Sequence, residues 1–354
     1  MPLPTAFKLA LEHDEELSLD IVQILFEGGL KIDNKELVEE SVIKNRPRVA
    51  QFLIENGAEH DATRTLIDSS RYGHTNIVNL LLETMSPNVR DSCFTPLGTA
   101  CHNGQIDIVR TLLKHGADVN FHGRFEHILE SACISENPDI VSIILKKGPI
   151  VNDKCSIYVA CEIKTEENPI LDMLIEAGAE VNVNNFYGPP LFNACRHGSL
   201  KSINKLLDAG ADVNATDGEG FNVLMTVCTG DRKYLVPLLV NRGVNIDAQD
   251  NSGRTALMHA ANNWKENMVE ELLKFNPDTS IVDKDGKNAI EHAIRASYHF
   301  DVRAFRLIAE YERKNCPEHF EKYRELVNRM IECIDVGTPI REVFKQEGYF
   351  SYHY

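Results

Sequence analysis

The clearest regularity in the chain is an apolar stripe that returns about every thirty residues. Between Ile106 and Lys114 the apolar positions are Ile106, Ile108, Val109, Leu112 and Leu113, the spacing of one helix face. The stripe stops at His115-Gly116, where glycine suits a left-handed helix end. A helix of small and apolar residues precedes it, carrying Leu97, Ala100 and Cys101 and broken at Asn103-Gly104. Thr95-Pro96 opens that helix: threonine can cap it, and proline is tolerated in the first turn. Ala117-Asp118-Val119-Asn120 then leads into a turn.

The same second-helix ending recurs as LLKHGADVN, ILKKGPIVN, LIEAGAEVN, LLDAGADVN and LLVNRGVNID. Aligning the terminal glycine gives a column at Gly28, Gly57, Gly116, Gly148, Gly178, Gly210 and Gly243, with Met85 and Asn276 in the same place where glycine is missing. The steps are 29, 28, 31, 32, 30, 32, 33 and 33 residues. Nine units follow, and a tenth, degenerate one begins at Asp283. A turn signature, Asp-x-x-Gly-x-Thr, stands at Asp250–Thr255, with weaker forms at Asp217–Asn222, Asn185–Pro189 and Asp283–Asn288. Aspartate can bond its own local backbone and glycine supplies positive φ, so a tight hairpin is expected. Units one and two, Pro4–Asp61, are too closely spaced for a long hairpin, and Glu12, Asp14, Glu15 and Glu16 give the first pair a polar outer side.

Past Arg295 the repeat fades. A helix is expected over Asp301–Asn315, with Val302, Phe305, Ile308 and Ala309 on one face, and a second from Pro317 to Asp335. Thr338-Pro339 opens a third, and the last six residues hold four aromatics.

With its Thr-Pro-Leu start, its Gly-Ala-Asp-Val-Asn ending and a period close to 33, the unit resembles the ankyrin repeat. The resemblance covers over four-fifths of the chain. It implies an all-α ankyrin-repeat solenoid with short β-hairpin loops over 1–300, closed by a helical C-terminal cap or extension over 301–354. The family has histidine after Thr-Pro-Leu, where this chain has Gly98, Glu130, Tyr158, Phe192, Met225, Met258 and Glu291. That loss implies looser hairpins and larger apolar side chains near the groove of units seven to nine. Ankyrin proteins generally bind partners with hairpin tips and the exposed face of the first helices, which line a concave groove. Carried over position by position, hairpin positions are Phe94, Phe121, Arg124, Phe125, Phe186, Tyr187, Phe221 and Arg254. First-helix positions are His102, Asn103, Phe192, Arg196 and His197, with Asn262 and Asn263 further on. The densest cluster is Phe186, Tyr187, Phe192, Arg196 and Phe221. Trp264 sits at the turn between helices, where the family has glycine, and either anchors a partner or caps its neighbour.

Composition narrows the function. Net charge is −16, from 37 Lys and Arg against 53 Asp and Glu, and the acidity lies on the repeats, because 301–354 holds ten acidic and nine basic residues. Neutralising phosphate needs a basic surface, so neither nucleic acid nor an anionic membrane is the expected partner. No apolar run approaches the ~20 residues of a membrane span. MPLPTAFKLALEHDEE has no basic n-region and no long apolar core, so no signal peptide is expected. Nine cysteines in no close-set pattern favour a reducing, cytoplasmic setting. Delivery into a host-cell cytosol is the alternative, since the aromatic tail can be read as an export signal, a linear peptide or a docked terminus.

Cys101, Cys133, Cys161, Cys195 and Cys228 recur at steps of 32, 28, 34 and 33 residues, each after Ala or Val. Stacked helices lie ~8–10 Å apart, too far for disulfides or one shared zinc. The column reads as buried thiols replacing alanine. Cys316 and His319 form one metal-like pair without a second, and His292, His299 and His353 are scattered as surface or capping histidines. No phosphate loop, zinc-protease motif or nucleophile elbow is present. The expected function is non-enzymatic: a monomeric scaffold, adaptor or inhibitor that grips a partner protein and needs no cofactor or metal. The alternatives are an adaptor whose C-terminal helices recruit a second machine such as a ubiquitin ligase, a pathogen effector acting on host proteins and, last, an enzyme with a site in 301–354.

Overall fold

A computed structural model describes residues 3–29, 31, 35–124, 127–153, 155–185, 188–263, 265–296 and 303–336. These residues form twenty-one helices and no strand. The helices come in ten successive pairs followed by one terminal helix, so the expected all-α repeat architecture is the observed one. The opening unit of the sequence reading shows why. Thr95 Oγ1 accepts the Gly98 N–H at 3.0 Å, which caps helix Pro96–His102. Gly104 takes φ 73° in the turn, helix Ile106–Lys114 follows, and Gly116 closes it at φ 86°.

Chain contacts group into two compact units. The first holds residues 1–163 and 167–180. In it, first helices pack on first helices, as in Glu36–Ile43, Ala62–Tyr72, Pro96–His102, Ile128–Ile134 and Ser156–Glu162. Second helices pack likewise on second helices, from Glu15–Glu27 to Pro169–Glu176. Ala100, Cys101, Ile108, Val109 and Leu112 are at most 1% exposed, so each pair seals its neighbour's apolar stripe. Fully burying one such aliphatic side chain contributes roughly 1.5–3 kcal/mol.

The second unit holds residues 164–166 and 181–354. Its first helices Pro190–Arg196, Val223–Thr229, Ala256–Asn262 and Ala289–Ala296 stack in order. Helix Arg303–Asn315 lies against both Ala289–Ala296 and Glu266–Leu273, as the second helix of a tenth pair. Its buried face includes Phe305, Ile308 and Ala309, three of the residues expected there, together with Ala304 and Glu312; Val302 lies outside the described residues. Helix Pro317–Val336 packs on Arg303–Asn315. From it Tyr323 is 1% exposed, and its hydroxyl accepts from Asn288 Nδ2 at 3.1 Å. Thr338, Pro339 and the aromatic tail 349–354 lie outside the described residues.

The glycine column needs two corrections. Gly28 has φ −74°, and the left-handed residue is Gly29, one place later. Met85 ends its helix without a positive φ, whereas Asn276 does take the left-handed place at 52°. The first pair is also less polar outside than expected, since Leu9, Leu17 and Ile24 are 49%, 43% and 66% exposed.

Candidate partner-binding surface

The hairpins follow from the aspartate and glycine of each turn. Asp250 Oδ1 accepts the N–H groups of Ser252 and Arg254 at 2.7 and 2.9 Å. Asp217 does the same for Glu219 and Phe221, and Asp283 for Asp285 and Lys287. Gly220, Gly253 and Gly286 carry the positive φ. Successive hairpins touch through backbone: Asn251 N–H donates to Glu219 O and Lys284 N–H to Ser252 O, both at 3.0 Å. A Cβ on Gly253 would come within 3.0–3.1 Å of Lys284 and Asp283 backbone, so glycine also permits this close approach.

A second set of clips joins the turns that follow the second helices. Asn214 Oδ1 accepts from Asn245 N–H at 2.7 Å, and its Nδ2 donates to Gly243 O at 3.0 Å. Asn182 makes the matching pair with Asp212 and Gly210, and Asn88 with Asp118 and Gly116. From local sequence this asparagine is a turn residue and nothing more. Its recurrence one period apart was the available signal.

In units seven to nine the position after Thr-Pro-Leu is buried instead of facing a groove. Phe192 and Met225 are 0% exposed, and Met258 is 1%. Phe192 is therefore withdrawn as an accessible contact: its ring fills the helix pair, held under Gly188, where a Cβ would approach it to 2.6 Å. At two hairpins another histidine takes the place of the missing one. One residue further on, His259 Nε2 stands 2.7 Å from Asp250 Oδ2, and His292 Nε2 stands 2.8 Å from Asp283 Oδ2. His292 is 2% exposed, which corrects its reading as a surface or capping residue. Burial holds both histidines below the usual imidazole value, against the pull of their aspartates. At Asp283 burial pushes upward, but the bonds from Lys287 N–H and His292 outweigh it and leave the carboxyl low.

The remaining candidates divide by place. His102, Asn103 and His197 are exposed at first-helix ends. Asn103 also caps its own helix through Nδ2 to Thr99 O at 2.8 Å. Phe94 is 43% exposed, with the Arg71 guanidinium 5.7 Å from its ring centre. Phe121 is half-buried, with the Arg90 guanidinium at 5.9 Å, and Arg124 is exposed nearby in sequence. Phe221 is half-buried, and its ring lies tilted at 45° against that of His259, 4.6 Å between centres. Arg196 lies 6.0 Å from the Phe192 ring. Arg254 is half-buried and reaches Asp283 at 3.7 Å. Phe125, Phe186, Tyr187 and Trp264 lie outside the described residues.

Comparison with known proteins decides the family. The description "Ankyrin repeats (3 copies)" fits residues 40–122, 66–155, 129–217, 157–248, 191–280 and 224–316, overlapping stretches that together run from 40 to 316. The chain belongs to the ankyrin-repeat family. Among similar ankyrin proteins is the ankyrin repeat and KH domain-containing protein mask-1 of Caenorhabditis elegans, 27% identical over 45% of this chain and 6% of that protein. Ankyrin repeat protein FPV031 of Fowlpox virus is 30% identical over 40% of this chain and 45% of its own. Human ankyrin repeat and SOCS box protein 6 is 29% identical over 33% of this chain and 31% of its own. The chain spans less than half the length of each of these relatives.

The ankyrin reading fits the chemistry of the stack. The five-cysteine column is buried, as the alanine-replacement reading expects. Burial pushes the Cys195 thiol up to about 12 and raises those of Cys133 and Cys228 as well, which makes them poor nucleophiles. Among the described residues no group of three or more His, Cys, Asp or Glu could hold a metal, and no helix is long and apolar enough to cross a membrane. An open pocket of about 330 Å³ in the second unit is lined by Asp231, Lys233, Lys265 and Glu266. Lys265 already pairs there with Asp231 at 2.6 Å. Ankyrin arrays are protein-interaction modules, and this one presents hairpin tips and first-helix ends over a sealed core.

Proposed function

We propose that this chain is a non-enzymatic binding module, a scaffold, adaptor or inhibitor, that holds a partner protein against its hairpins and first-helix ends. The supporting observation is the separation of duties along each repeat. Apolar positions are consumed between helices, and Asp, Gly and Asn are consumed within turns. The tips and helix ends are left free to vary without loss of fold. We take the partner to be protein, the chain to be monomeric in a reducing cytoplasm, and nucleic acid, membrane and cofactor to play no part. Cross-linking mass spectrometry on the intact chain in cell extract tests this. Cross-links to one recurring protein should map to hairpin tips or first-helix ends. Cross-links that fall only on the second-helix side, or to no recurring protein, would count against it.

In this proposal 1–300 forms the array and 301–354 closes it. The burial of Phe305, Ile308, Phe320 and Tyr323 supports a closing role. The adaptor reading draws on the SOCS-box relative, and delivery into a host cell draws on the fowlpox relative. Removing 301–354 separates the readings. A closing segment leaves an unstable array, whereas a recruiting module leaves a folded array that keeps one partner and loses a second.

A further inference from the structure

One face of the first unit gathers three arginines, in a chain of net charge −16. It is built across three consecutive repeats. Helix Ala62–Tyr72 supplies Arg64 and Arg71, whose side chains are 48% and 30% exposed. Between them lies Asp68, almost fully buried, with Arg64 Nε at 2.7 Å and an Arg71 nitrogen at 3.3 Å. The following hairpin supplies Arg90, Asp91 and Phe94. Asp91 Oδ1 is taken up by the N–H groups of Cys93 and Phe94, both at 2.7 Å. Arg64 reaches the other oxygen of Asp91 at 3.8 Å. The hairpin after that supplies Phe121 and the His122 carbonyl, to which Arg90 donates at 3.3 Å.

Two arginine–aromatic pairs therefore lie in neighbouring repeats, Arg71 with Phe94 and Arg90 with Phe121. Three acids face these arginines: Asp68 lies below the surface between Arg64 and Arg71, Asp91 is held by its own turn beside Arg64, and half-buried Glu39 also acts on Arg64, which leaves Arg90 as the guanidinium without an acidic neighbour among these. Asp68 and the Phe94 ring hold Arg71, the His122 carbonyl and the Phe121 ring hold Arg90, and part of each fork is left open to solvent. A fixed guanidinium fork matches a carboxylate and loses little entropy on binding it. Exposed Phe94 offers an anchor of the kind that carries interface energy. A long polyanion fits less well, since it would run off three arginines onto a strongly acidic chain.

We propose that the Arg64, Arg71, Arg90 face, with Phe94 and Phe121, docks an acidic segment of a partner protein that also carries apolar side chains. This rests on reading the chain as a protein-binding module.

The test pans a random dodecapeptide phage library on the intact chain and, in parallel, on Arg71→Gln/Arg90→Gln. Arg90→Glu serves as a second variant, because the exposed Arg90 bonds only a hairpin carbonyl and its change spares the Asp68 cluster. Thermal melts confirm that the variants are folded. The expected result is enrichment of peptides rich in Asp and Glu with interspersed apolar residues. Their binding by fluorescence polarisation should fall at least tenfold on Arg90→Glu and weaken with added salt. Enriched peptides without acidic excess, or acidic peptides that Arg90→Glu still binds, would overturn the acidic face while leaving protein binding intact. A twelve-nucleotide single strand bound more tightly than the selected peptides would reassign the face to phosphate. No enrichment on the intact chain would remove linear acidic segments, and the cross-linking experiment then judges the module reading separately.

Discussion

Asn214 bridges two consecutive turns with one side chain, and its loss is a clean measure of what such a clip contributes. Alanine there would leave the Asn245 N–H and the Gly243 carbonyl to solvent. Both groups are exposed, so water replaces part of the loss, and the expected destabilisation is about 1 kcal/mol. Asn56 is the control, because its Nδ2 reaches only Phe52 O in its own helix; Asn56→Ala should change stability by roughly half a kcal/mol or less. Urea unfolding of the two variants checks this, and equal effects would mean that the clip adds nothing between repeats. At this scale the sequence was legible where a residue acts on its own turn. Asp250, Gly253 and Thr95 could be assigned from local chemistry alone. It was silent where a residue acts one period away, as Asn214 does on Gly243 and Arg90 on Phe121. His259 and His292 lie between these cases. Each turns back nine residues to its hairpin aspartate, a distance at which no local rule selects a partner.

The terminal helices carry an element-scale contradiction. Glu312, in helix Arg303–Asn315, is 0% exposed, and neither carboxylate oxygen has a hydrogen-bond partner. The Thr279 hydroxyl faces it and offsets part of the burial, and His319, Lys322 and Glu291 are the titratable groups around it. Burial pushes this carboxyl above the ordinary glutamate value of 4.5. The folded chain therefore holds its proton more tightly than the unfolded chain does. The stabilising contribution is fully present below 4.5 and is lost as pH rises through the raised value. His259 and His292 act in the opposite sense. Their lowered values mean that stability is present above the ordinary 6.5 and lost as pH falls through the lowered values. Glu312→Gln should consequently strengthen packing of 303–336 at pH 8, by about 1–3 kcal/mol, and flatten its pH dependence. Hydrogen exchange of these helices, corrected for the intrinsic pH dependence of exchange, reads the effect. Unchanged protection at pH 8 would mean that Glu312 ionises without strain. The sequence placed this helix correctly from Phe305, Ile308 and Ala309. It could not have shown that Glu312 shares the buried side, because a charged residue inside a 3.6 period reads as a solvated position.

At the scale of the molecule, the contacts of the second unit run between successive repeats, from Pro190–Arg196 through Val223–Thr229 and Ala256–Asn262 to Ala289–Ala296. Stability in such a stack is a sum of repeat and nearest-neighbour terms, so damage should stay local. Leu206 is 0% exposed in helix Leu200–Asp208, and Leu206→Ala opens a cavity worth about 2–5 kcal/mol. The period of the chain made this architecture legible, because every repeat must show the same apolar stripe to its neighbours. What the period cannot express is cooperativity, since the sum of interface terms decides whether repeats open singly or together. The expected outcome for Leu206→Ala is a large loss of exchange protection in Pro190–Arg196, Leu200–Asp208 and Val223–Thr229. The loss should fade by Ala289–Ala296 and be absent in Pro317–Val336. An equal loss in all helices of this unit would show that interface terms dominate and that its repeats unfold as one body. Adding salt separates a further contribution: with an excess of sixteen acidic charges, screening should raise protection throughout without altering the gradient between repeats.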